Sequence, residues 1–488
     1  MVEENRNFPK ELYSEIHKSL VPASMLAETQ FRLDAPAFLS RNSVTTLITR
    51  ASTTKTLGEM ADVFTVYIQS PVLVYVRPFS NSRPYLTTSE LAEFQTGRPA
   101  HVSLLADPRL IGWEIKEGNI VVSRSGRVGE AYWVDRRLDG VLVGDSFRVV
   151  SKNPEECFVI YAVLASAFAR NYLSGNAYGS VVDHASLDQL RAFPMPSLPP
   201  DIHSKITQKV RRALSLRDQA YDLLDETQKQ VLKSNALARR QITSSAPVDS
   251  YEQPMNTYIP CNEVASGSDG DSEFRLEAHF HNPIARAAIE NIRNCPSKRS
   301  TVGQLSHQVI LAGRFKRNYV KAEYGTPFLS GKNIVQIRPT DVKYLSNSET
   351  EDLKDCLLTK GWVLVTRSGT IGRTCFVWYN FEDYAASEHI LRVIPNEELV
   401  DPGYFYAFLS SPYGYEQIIR FRHGSVIDEI TDEQLKKVIV PLPGRDRQKE
   451  IGDNVRLAYE KRAEAIRLED EAQSILMREI QQQRSVES

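Results

Sequence analysis

The 488-residue sequence has few cysteines, and none of them forms a C-x-x-C pair. The five thiols, at Cys157, Cys261, Cys295, Cys356 and Cys375, are odd in number and scattered. This usage fits a reducing compartment better than a disulfide framework or a structural zinc site. The sequence has no run near the ~18 apolar residues of a membrane span, and its polar start lacks a signal peptide's apolar core. We therefore expect a cytoplasmic protein.

An excess of charge of one sign is also missing. The formal net charge is −2 at pH 7, with 42% hydrophobic and 25% charged residues, which is the composition of an ordinary globular protein. A global basic signature is therefore excluded. Any surface that binds nucleic acid has to be a local patch.

Catalytic motifs are missing as well. The sequence has no G-x-G-x-x-G after a strand, no G-x-S-x-G, and neither N-P-P-[YFW] nor D-P-P-Y. Residues 325–333 resemble a phosphate loop, but Asn333 stands where Ser or Thr would hold magnesium. His279 and His281 form a possible metal pair without evident further ligands. The sequence predicts no enzyme, and neither a cofactor nor a metal bound by this chain.

The sequence does contain a long internal repeat. Residues 361–396 match residues 118–153 at an offset of 243 positions, about half of the 488-residue chain. Within them Arg367-Ser368-Gly369 matches Arg124-Ser125-Gly126. Further matches in the same order place 424–428 opposite 179–183. A repeat of this period indicates two copies of a whole domain.

Each copy combines strand and helix patterns. Ile120-Val121-Val122 is short, β-branched and bounded by Asn and Ser, which predicts a strand. Residues 158–172 predict a buried helix, and residues 404–420 are its counterpart. Residues 1–26 predict a short amphipathic helix before the first copy. The fold class is therefore α+β.

Each copy is followed by a long helix, over 203–242 and 447–484. Apolar residues recur at heptad a and d positions in both, and such a seam has to be buried. We expect the two helices to pair antiparallel, with the globular domains at opposite ends. The alternative is that each helix packs on its own domain. The expected helix-pairing residues are Ile206, Val210, Ala213, Ile451, Val455 and Ala458.

Two features suggest DNA contact. The Arg-Ser-Gly-x-x-Gly stretches fit either tight turns after buried strands or a set of phosphate contacts. Residues 314–321 interleave basic and aromatic side chains, which is typical of nucleic-acid surfaces but also of solvated strands. The candidate DNA-contacting residues are Arg77, Asn81, Arg83, Arg124, Ser125, Arg314, Lys316, Arg317, Tyr319, Lys321, Arg367 and Ser368.

The order of these motifs resembles that of a known family. A TRSGTIG-like strand and turn (366–372), a G-S-x-I-x-x-I loop (424–430), a P-L-P motif (441–443) and a long helix follow one another, and the set is duplicated. This order is similar to that in the specificity subunit of type I restriction-modification systems, or in a close relative from another phage-defence system.

The resemblance implies two tandem α/β target-recognition domains separated by an antiparallel pair of long coiled-coil helices, with pseudo-two-fold symmetry. Each domain would read one part of a bipartite double-stranded DNA target. The subunit would dock two adenine methyltransferase subunits, which bind S-adenosylmethionine, and possibly endonuclease/translocase subunits using Mg and ATP. The divisions are an N-terminal extension (1–26), domain 1 (27–200), spacer 1 (201–243), a linker (244–272), domain 2 (273–440) and spacer 2 (441–488).

One alternative from a different class stays open. The chain could be a coiled-coil interaction scaffold of another phage-defence complex, without reading DNA sequence. A DNA reader should present a basic surface on each half, whereas a scaffold should present apolar patches.

Overall fold

The computed structural model describes most of both copies. The described residues are 55–66, 73–76, 78–94, 97, 99–175, 184–238, 275–350, 353–379 and 381–485. The predicted helix at 1–26, the linker at 244–272, the loop at 179–183 and Arg77 lie outside them. We call residues 55–238 the N-terminal half and residues 275–485 the C-terminal half.

The N-terminal half alternates short strands with short helices and ends in one long helix. Its helices are α1 (Leu57–Met60), α2 (Cys157–Leu164), α3 (Ala167–Gly175), α4 (Leu187–Arg191) and α5 (Pro200–Ser234). Its strands are β1 (Ala61–Val66), β2 (Tyr75–Val76), β3 (Ser82–Leu86), β4 (Ala100–Ser103), β5 (Ile120–Ser123), β6 (Ala131–Trp133), β7 (Leu142–Val143) and β8 (Ser146–Ser151).

The C-terminal half follows the same plan and also ends in a long helix. Its helices are α6 (Pro283–Asn294), α7 (Gly331–Val335), α8 (Leu353–Cys356), α9 (Pro402–Leu409), α10 (Pro412–Ile419), α11 (Asp432–Lys436) and α12 (Arg445–Ser485). Its strands are β9 (Lys298–Thr301), β10 (Ser306–Ile310), β11 (Tyr319–Val320), β12 (Gly325–Leu329), β13 (Lys343–Ser346), β14 (Val363–Thr366), β15 (Thr374–Phe376), β16 (Ala385–Ala386), β17 (Ile390–Pro395) and β18 (Ile439–Leu442).

The sheets of the two halves have the same strand order. One sheet runs β1-β8-β5-β6 in the N-terminal half and β10-β17-β14-β15 in the C-terminal half. A second runs β2-β4-β3-β7 and β11-β13-β12-β16. In each second sheet the last pair is parallel, with Tyr85 opposite Leu142 and Phe328 opposite Ala385. Both pairs are related by the offset of 243 found in the sequence.

The predicted buried helix of each copy is two helices in the structure. A hydroxyl interrupts both: Ser166 accepts a hydrogen bond from the amide of Ala169 at 3.1 Å, and Ser411 caps α10 by accepting from Gly414 at 3.2 Å. An N-cap of this kind starts a new helix direction. Among the described residues no single helix is long and apolar enough to cross a membrane, although the bent pair α2 and α3 passes by length and composition.

The two long helices pack against each other antiparallel. Contacts pair rising residue numbers in α5 with falling numbers in α12: Lys209 with Glu471 at 2.6 Å, Lys461 with Gln219 at 2.8 Å, and Asn454 with Gln230 at 3.2 Å. The residues of the predicted seam are buried, and all six helix-pairing residues are at most 1% exposed. Burial of an apolar stripe along each helix is what stabilises the pair.

Each long helix also contributes to both domain cores. Ile206 and Val210 of α5 join Leu476 of α12 in the core of the N-terminal half. Leu224 of α5 joins Val455 of α12 in the core of the C-terminal half. The two interpretations offered by the sequence are therefore combined, because the helices pair with each other and each end is covered by a domain.

Two predicted boundaries were wrong. Helix α5 ends at Ser234 rather than near 242, because Ala236 takes a φ of 53° and the amide of Leu237 bonds back to Leu232 at 2.9 Å. This positive-φ turn closes the helix. The residues 441–442, predicted as proline punctuation, belong to β18, which pairs with β9.

Candidate nucleic-acid interface

The duplicated turn of the C-terminal half follows the buried strand β14. In residues 366–372, the hydroxyl of Thr366 bonds to a carbonyl inside the turn and accepts from the amide of Arg373 at 2.9 Å. Gly372 has a φ of 81°, and a Cβ there would lie 3.0 Å from Ile419. A left-handed conformation packed this closely requires glycine.

The arginine of this turn is held inside the protein. The Nε of Arg367 donates to the carbonyl of Ile430 at 3.1 Å, and its guanidinium pairs with Glu429 at 2.5 Å. Arg367 thus ties the loop at 424–430 to the turn, which is the structural role that the sequence left open. Ser368 is also engaged, with its Oγ 2.7 Å from Nδ1 of His389.

The loop at 424–428 projects from this turn. His423 and Glu429 close its base with two backbone hydrogen bonds of 2.9 and 2.7 Å. At its tip the side chains of Val426 and Ile427 are 92% and 60% exposed. The loop therefore presents two apolar side chains beside the turn that Arg367 organises.

The interleaved basic segment forms an irregular stretch before β11, as expected for a strand or loop. Arg314, Lys316 and Lys321 are exposed to solvent. Tyr319 is 44% exposed in β11, and the Nζ of Lys343 lies 4.7 Å from its ring centroid. An aromatic face beside cations is an arrangement that can receive a base or a phosphate.

Glu388 connects the basic segment to the duplicated turn. It accepts from the guanidinium of Arg317 at 2.6 Å and lies 3.6 Å from His389, which in turn contacts Ser368. Burial opposes ionisation of Glu388, but its backbone hydrogen bond and Arg317 outweigh burial and lower the pKa of its carboxyl. We define the basic surface by the residues Arg314, Lys316, Arg317, Tyr319, Lys343, Ser368 and His389.

In the N-terminal half the duplicated turn is held by a different pair. Arg124 donates to Asp145 at 2.8 Å, and His184 lies 3.7 Å from the same carboxylate. Ser125 forms a backbone bridge with His184. Asp145 and His184 stand at the positions of Glu388 and Glu429 in the other half, at offsets of 243 and 245. The turn is shared by both halves, but the groups that hold it differ.

The structure describes two of the three other DNA-contact candidates of the N-terminal half. Asn81 is exposed at the start of β3, and its carbonyl accepts from the amide of Leu104 at 2.8 Å. Arg83 pairs with Glu114 at 3.3 Å. Arg77 lies outside the described residues.

The sequence missed Glu388, His389 and Lys343. A signal for Glu388 was present, since its counterpart Asp145 is also acidic at the same repeat offset. Its pairing with Arg317 spans 71 positions and could not be read from spacing.

The part of the chain that the structure describes contains no group of three or more His, Cys, Asp or Glu that could hold a metal ion. His279 and His281 instead bond to the carbonyls of Arg422 and Arg275, at 2.5 and 2.7 Å. Asn333, at the end of the phosphate-loop-like stretch, caps the short helix α7 and is 4% exposed.

Comparison with known proteins gives one family. Residues 308–456 match the model of the type I restriction modification DNA specificity domain. No curated protein matches the chain.

Several solved structures are similar to this chain. The type I restriction-modification S subunit from M. genitalium shares 13% identity over 87% of this chain and 93% of its own, with a TM-score of 0.31. The HsdS subunit from Thermoanaerobacter tengcongensis shares 15% identity over 88% and 96%, with a TM-score of 0.27. A structure described by complex assembly and conformational transition of the type I R-M system shares 16% identity over 88% and 97%, with a TM-score of 0.28.

The family match contains the whole basic surface, the duplicated turn and the loop at 424–430. Residues 308–456 are thus the part of the chain that is similar to type I restriction modification DNA specificity domains.

Proposed function

We propose that this chain is the non-catalytic DNA-recognition subunit of a type I restriction-modification-like complex. One observation carries the proposal: the basic surface lies wholly within the residues that match the specificity-domain family. In this surface Arg314 and Lys316 are exposed, while Arg317 is oriented by Glu388. Exposed cations supply affinity for phosphates, whereas oriented side chains are the ones able to read base edges.

The strand order of the N-terminal half supports the proposal that it is a second DNA-reading domain. It has the same strand order as the C-terminal half, but Asp145 and His184 replace two glutamates around the duplicated turn. Two copies of one scaffold with different polar surfaces suit two different DNA segments. We therefore propose a bipartite, asymmetric target, with one segment read by each half.

The paired long helices would hold the two reading domains and carry the partners. Following the family, we propose docking of two adenine methyltransferase subunits, and of endonuclease/translocase subunits in a larger complex. S-adenosylmethionine, Mg and ATP would then be bound by those partners rather than by this chain. The duplication of both domain and helix gives two equivalent docking places for two copies of one partner.

Co-purification from the native host, combined with mapping of methylated adenines with and without this gene, tests the proposal. We expect a methyltransferase partner and the loss of one bipartite methylated motif when the gene is absent. A stable complex without a methyltransferase, together with an unchanged pattern of methylation, would refute the proposal.

A second experiment tests the basic surface itself. The double variant Arg314→Ala/Lys316→Ala should weaken DNA binding and reduce the slope of log K against log salt by about 2, since each phosphate contact contributes roughly 0.9. The matched control, Lys229→Ala/Lys449→Ala, removes two exposed cations from the long helices and should leave the slope unchanged. Equal slopes for the two double variants would remove Arg314 and Lys316 from the interface.

One observation favours a protein-binding scaffold as the second candidate. The exposed tip formed by Val426 and Ile427 is apolar, as a protein-docking patch would be. A scaffold would bind its partners with little dependence on salt and would show no preference among DNA sequences.

A further inference from the structure

Away from the long helices, a pair of equivalent backbone segments joins the two halves. The amide of Phe94 donates to the carbonyl of Val335 at 2.7 Å, and the amide of Ile337 donates to the carbonyl of Ala92 at 2.6 Å. Ala92 corresponds to Val335, and Phe94 to Ile337, at the repeat offset of 243. The two hydrogen bonds are thus the same contact made twice. We call the segments 91–94 and 334–337 the central bridge.

This reciprocity locates the pseudo-two-fold axis. Glu93 and Gln336 face each other as an antiparallel bridge and are also related by the offset of 243. A segment that pairs with its own equivalent forms an isologous contact, and such a contact is crossed by the symmetry axis. The axis therefore passes between Glu93 and Gln336.

The long helices pack against the central bridge and donate hydrogen bonds to it. Phe94 is 3% exposed, with its ring centroid 5.4 Å from that of Tyr221 in α5 and 5.5 Å from that of Tyr459 in α12. Arg462 of α12 donates to the carbonyl of Ile337 at 3.1 Å and also to that of Gln336. The bridge and the helix pair are consequently one packed unit.

Side chains at both duplicated turns also reach the opposite half. Arg373, which follows Gly372 directly, pairs with Glu93 of the other half at 2.8 Å, and both side chains are largely buried. Arg127, within the turn of the N-terminal half, bonds to Thr340 and Asp341 of the other half. Each turn is therefore fixed to the opposite half.

We propose that the central bridge fixes the separation and relative orientation of the two halves, and thereby the permitted spacing between the two DNA segments. The inference rests on the proposed function. A change of one base pair moves a half-site by ~3.4 Å and turns it by roughly 34° around the duplex. Two short hydrogen bonds and a buried ion pair join the halves at the axis, and such a change would have to break them.

Glu93, Arg127 and Arg373 are accordingly positioning residues. They act on spacing through the orientation of the two turns and need not touch DNA. Their effect should therefore appear in the preference between spacings, rather than in the sequence of either segment.

The first test is a cross-link in the full chain. Glu93 and Gln336 form a non-hydrogen-bonded pair, for which Cα atoms lie about 4.5 Å apart, within the range of disulfides. We expect Glu93→Cys/Gln336→Cys to form this disulfide on mild oxidation, identified by peptide mapping. Glu90→Cys/Gln336→Cys is the matched control. Equal cross-linking of both variants would show that the segments are not held in register, and would overturn the proposal.

The second test measures binding to targets whose two segments are separated by the native spacing or by one base pair more or less. We expect the variant Glu93→Ala/Arg127→Ala to discriminate between these spacings at least tenfold less than the wild type. The oxidised Glu93→Cys/Gln336→Cys variant should discriminate as well as the wild type. If the double alanine variant does not fold, Glu93→Gln should shift discrimination in the same direction.

The outcomes separate the two proposals. A wild type that binds a bipartite target, with variants that discriminate between spacings equally well, overturns the bridge as the spacing element and leaves the proposed function intact. A wild type that shows no bipartite binding overturns both.

Discussion

The two long helices carry an arginine at the same helix position, near the middle of the pair, but satisfy it differently. Arg217 of α5 pairs with Glu469 of α12 at 2.5 Å, and both side chains are about one-tenth exposed. Arg462 stands at the equivalent position, 245 residues later, where the residue corresponding to Glu469 is Leu224. Arg462 therefore donates to backbone carbonyls of the central bridge instead.

This difference shows how a duplicated scaffold becomes asymmetric. The helix position of the arginine is kept, but the partner of Arg217 is a side chain of the other long helix, whereas the partner of Arg462 is a backbone segment of its own half. Burial alone would lower the pKa of Arg217, but Glu469 and Tyr161 outweigh burial and raise it above its ordinary value. Arg217 of α5 thus depends on a buried ion pair, while Arg462 of α12 depends on contact with the central bridge.

The largest expected effect comes from giving α12 the leucine that α5 carries at the corresponding position, Leu224. Glu469→Leu leaves the Arg217 guanidinium buried beside the hydroxyl of Tyr161, at 3.4 Å, and also removes the carboxylate that pairs with Arg338 at 3.5 Å. Removing one partner of a buried pair costs about 3–5 kcal/mol, so the denaturation midpoint of the full chain should fall sharply. Glu464→Leu is the control, since this glutamate forms an exposed pair with Arg467 and should change stability by no more than about 0.5 kcal/mol.

A double variant sharpens the same comparison. Arg217→Met/Glu469→Leu replaces the ion pair by apolar side chains, which is often neutral or stabilising for buried pairs. We expect it to recover most of the stability that Glu469→Leu loses. Equal losses of stability in the single and the double variant would mean that this part of the helix interface depends on side-chain shape rather than on charge pairing.

A smaller effect is expected at Arg462 of α12. Arg462→Met removes the donor to the carbonyls of Gln336 and Ile337, and an unsatisfied buried acceptor costs about 1–3 kcal/mol. Because these carbonyls belong to the central bridge, the cross-linking yield of Glu93→Cys/Gln336→Cys should also fall.

The variant Arg217→Met/Glu469→Leu is the matched control, because it replaces the arginine at the equivalent position of α5 and leaves Arg462 in place. It should leave the cross-linking yield unchanged. A loss of cross-linking in both backgrounds would show that the yield follows general stability, and Arg462 would then have no particular link to the bridge.

Much of the scaffold could be predicted from the sequence because each domain and its long helix are duplicated there. Apolar spacing alone predicted the burial of the helix seam, from Ile206 to Leu476. The duplicated Arg-Ser-Gly stretches predicted the tight turns after β5 and β14. Hydrophobic periodicity and glycine positions are local properties, so a single sequence carries them.

The contacts between distant residues could not be predicted in the same way. The central bridge is made of backbone hydrogen bonds, which any residue except proline can form. The pairing of Arg317 with Glu388, and of Arg367 with Glu429, depends on which strands lie side by side. Spacing therefore indicated which segments were basic, but not which of their cations were already used within the protein.

The smallest expected effect is the difference in stability between alanine variants at two glycines of one duplicated turn. Gly369 and Gly372 have φ values of 73° and 81°, so Gly→Ala at either position is strained by about 1–2 kcal/mol. A Cβ at Gly369 would meet nothing within 4 Å, whereas one at Gly372 would lie 3.0 Å from Ile419 and 3.3 Å from Tyr415. Gly372→Ala should therefore lower the denaturation midpoint more than Gly369→Ala, by about 1 kcal/mol or more, since overpacking adds to the strain. Equal losses would show that α10 can move away from the turn, and that this packing, unlike the bridge, does not fix the position of the turn.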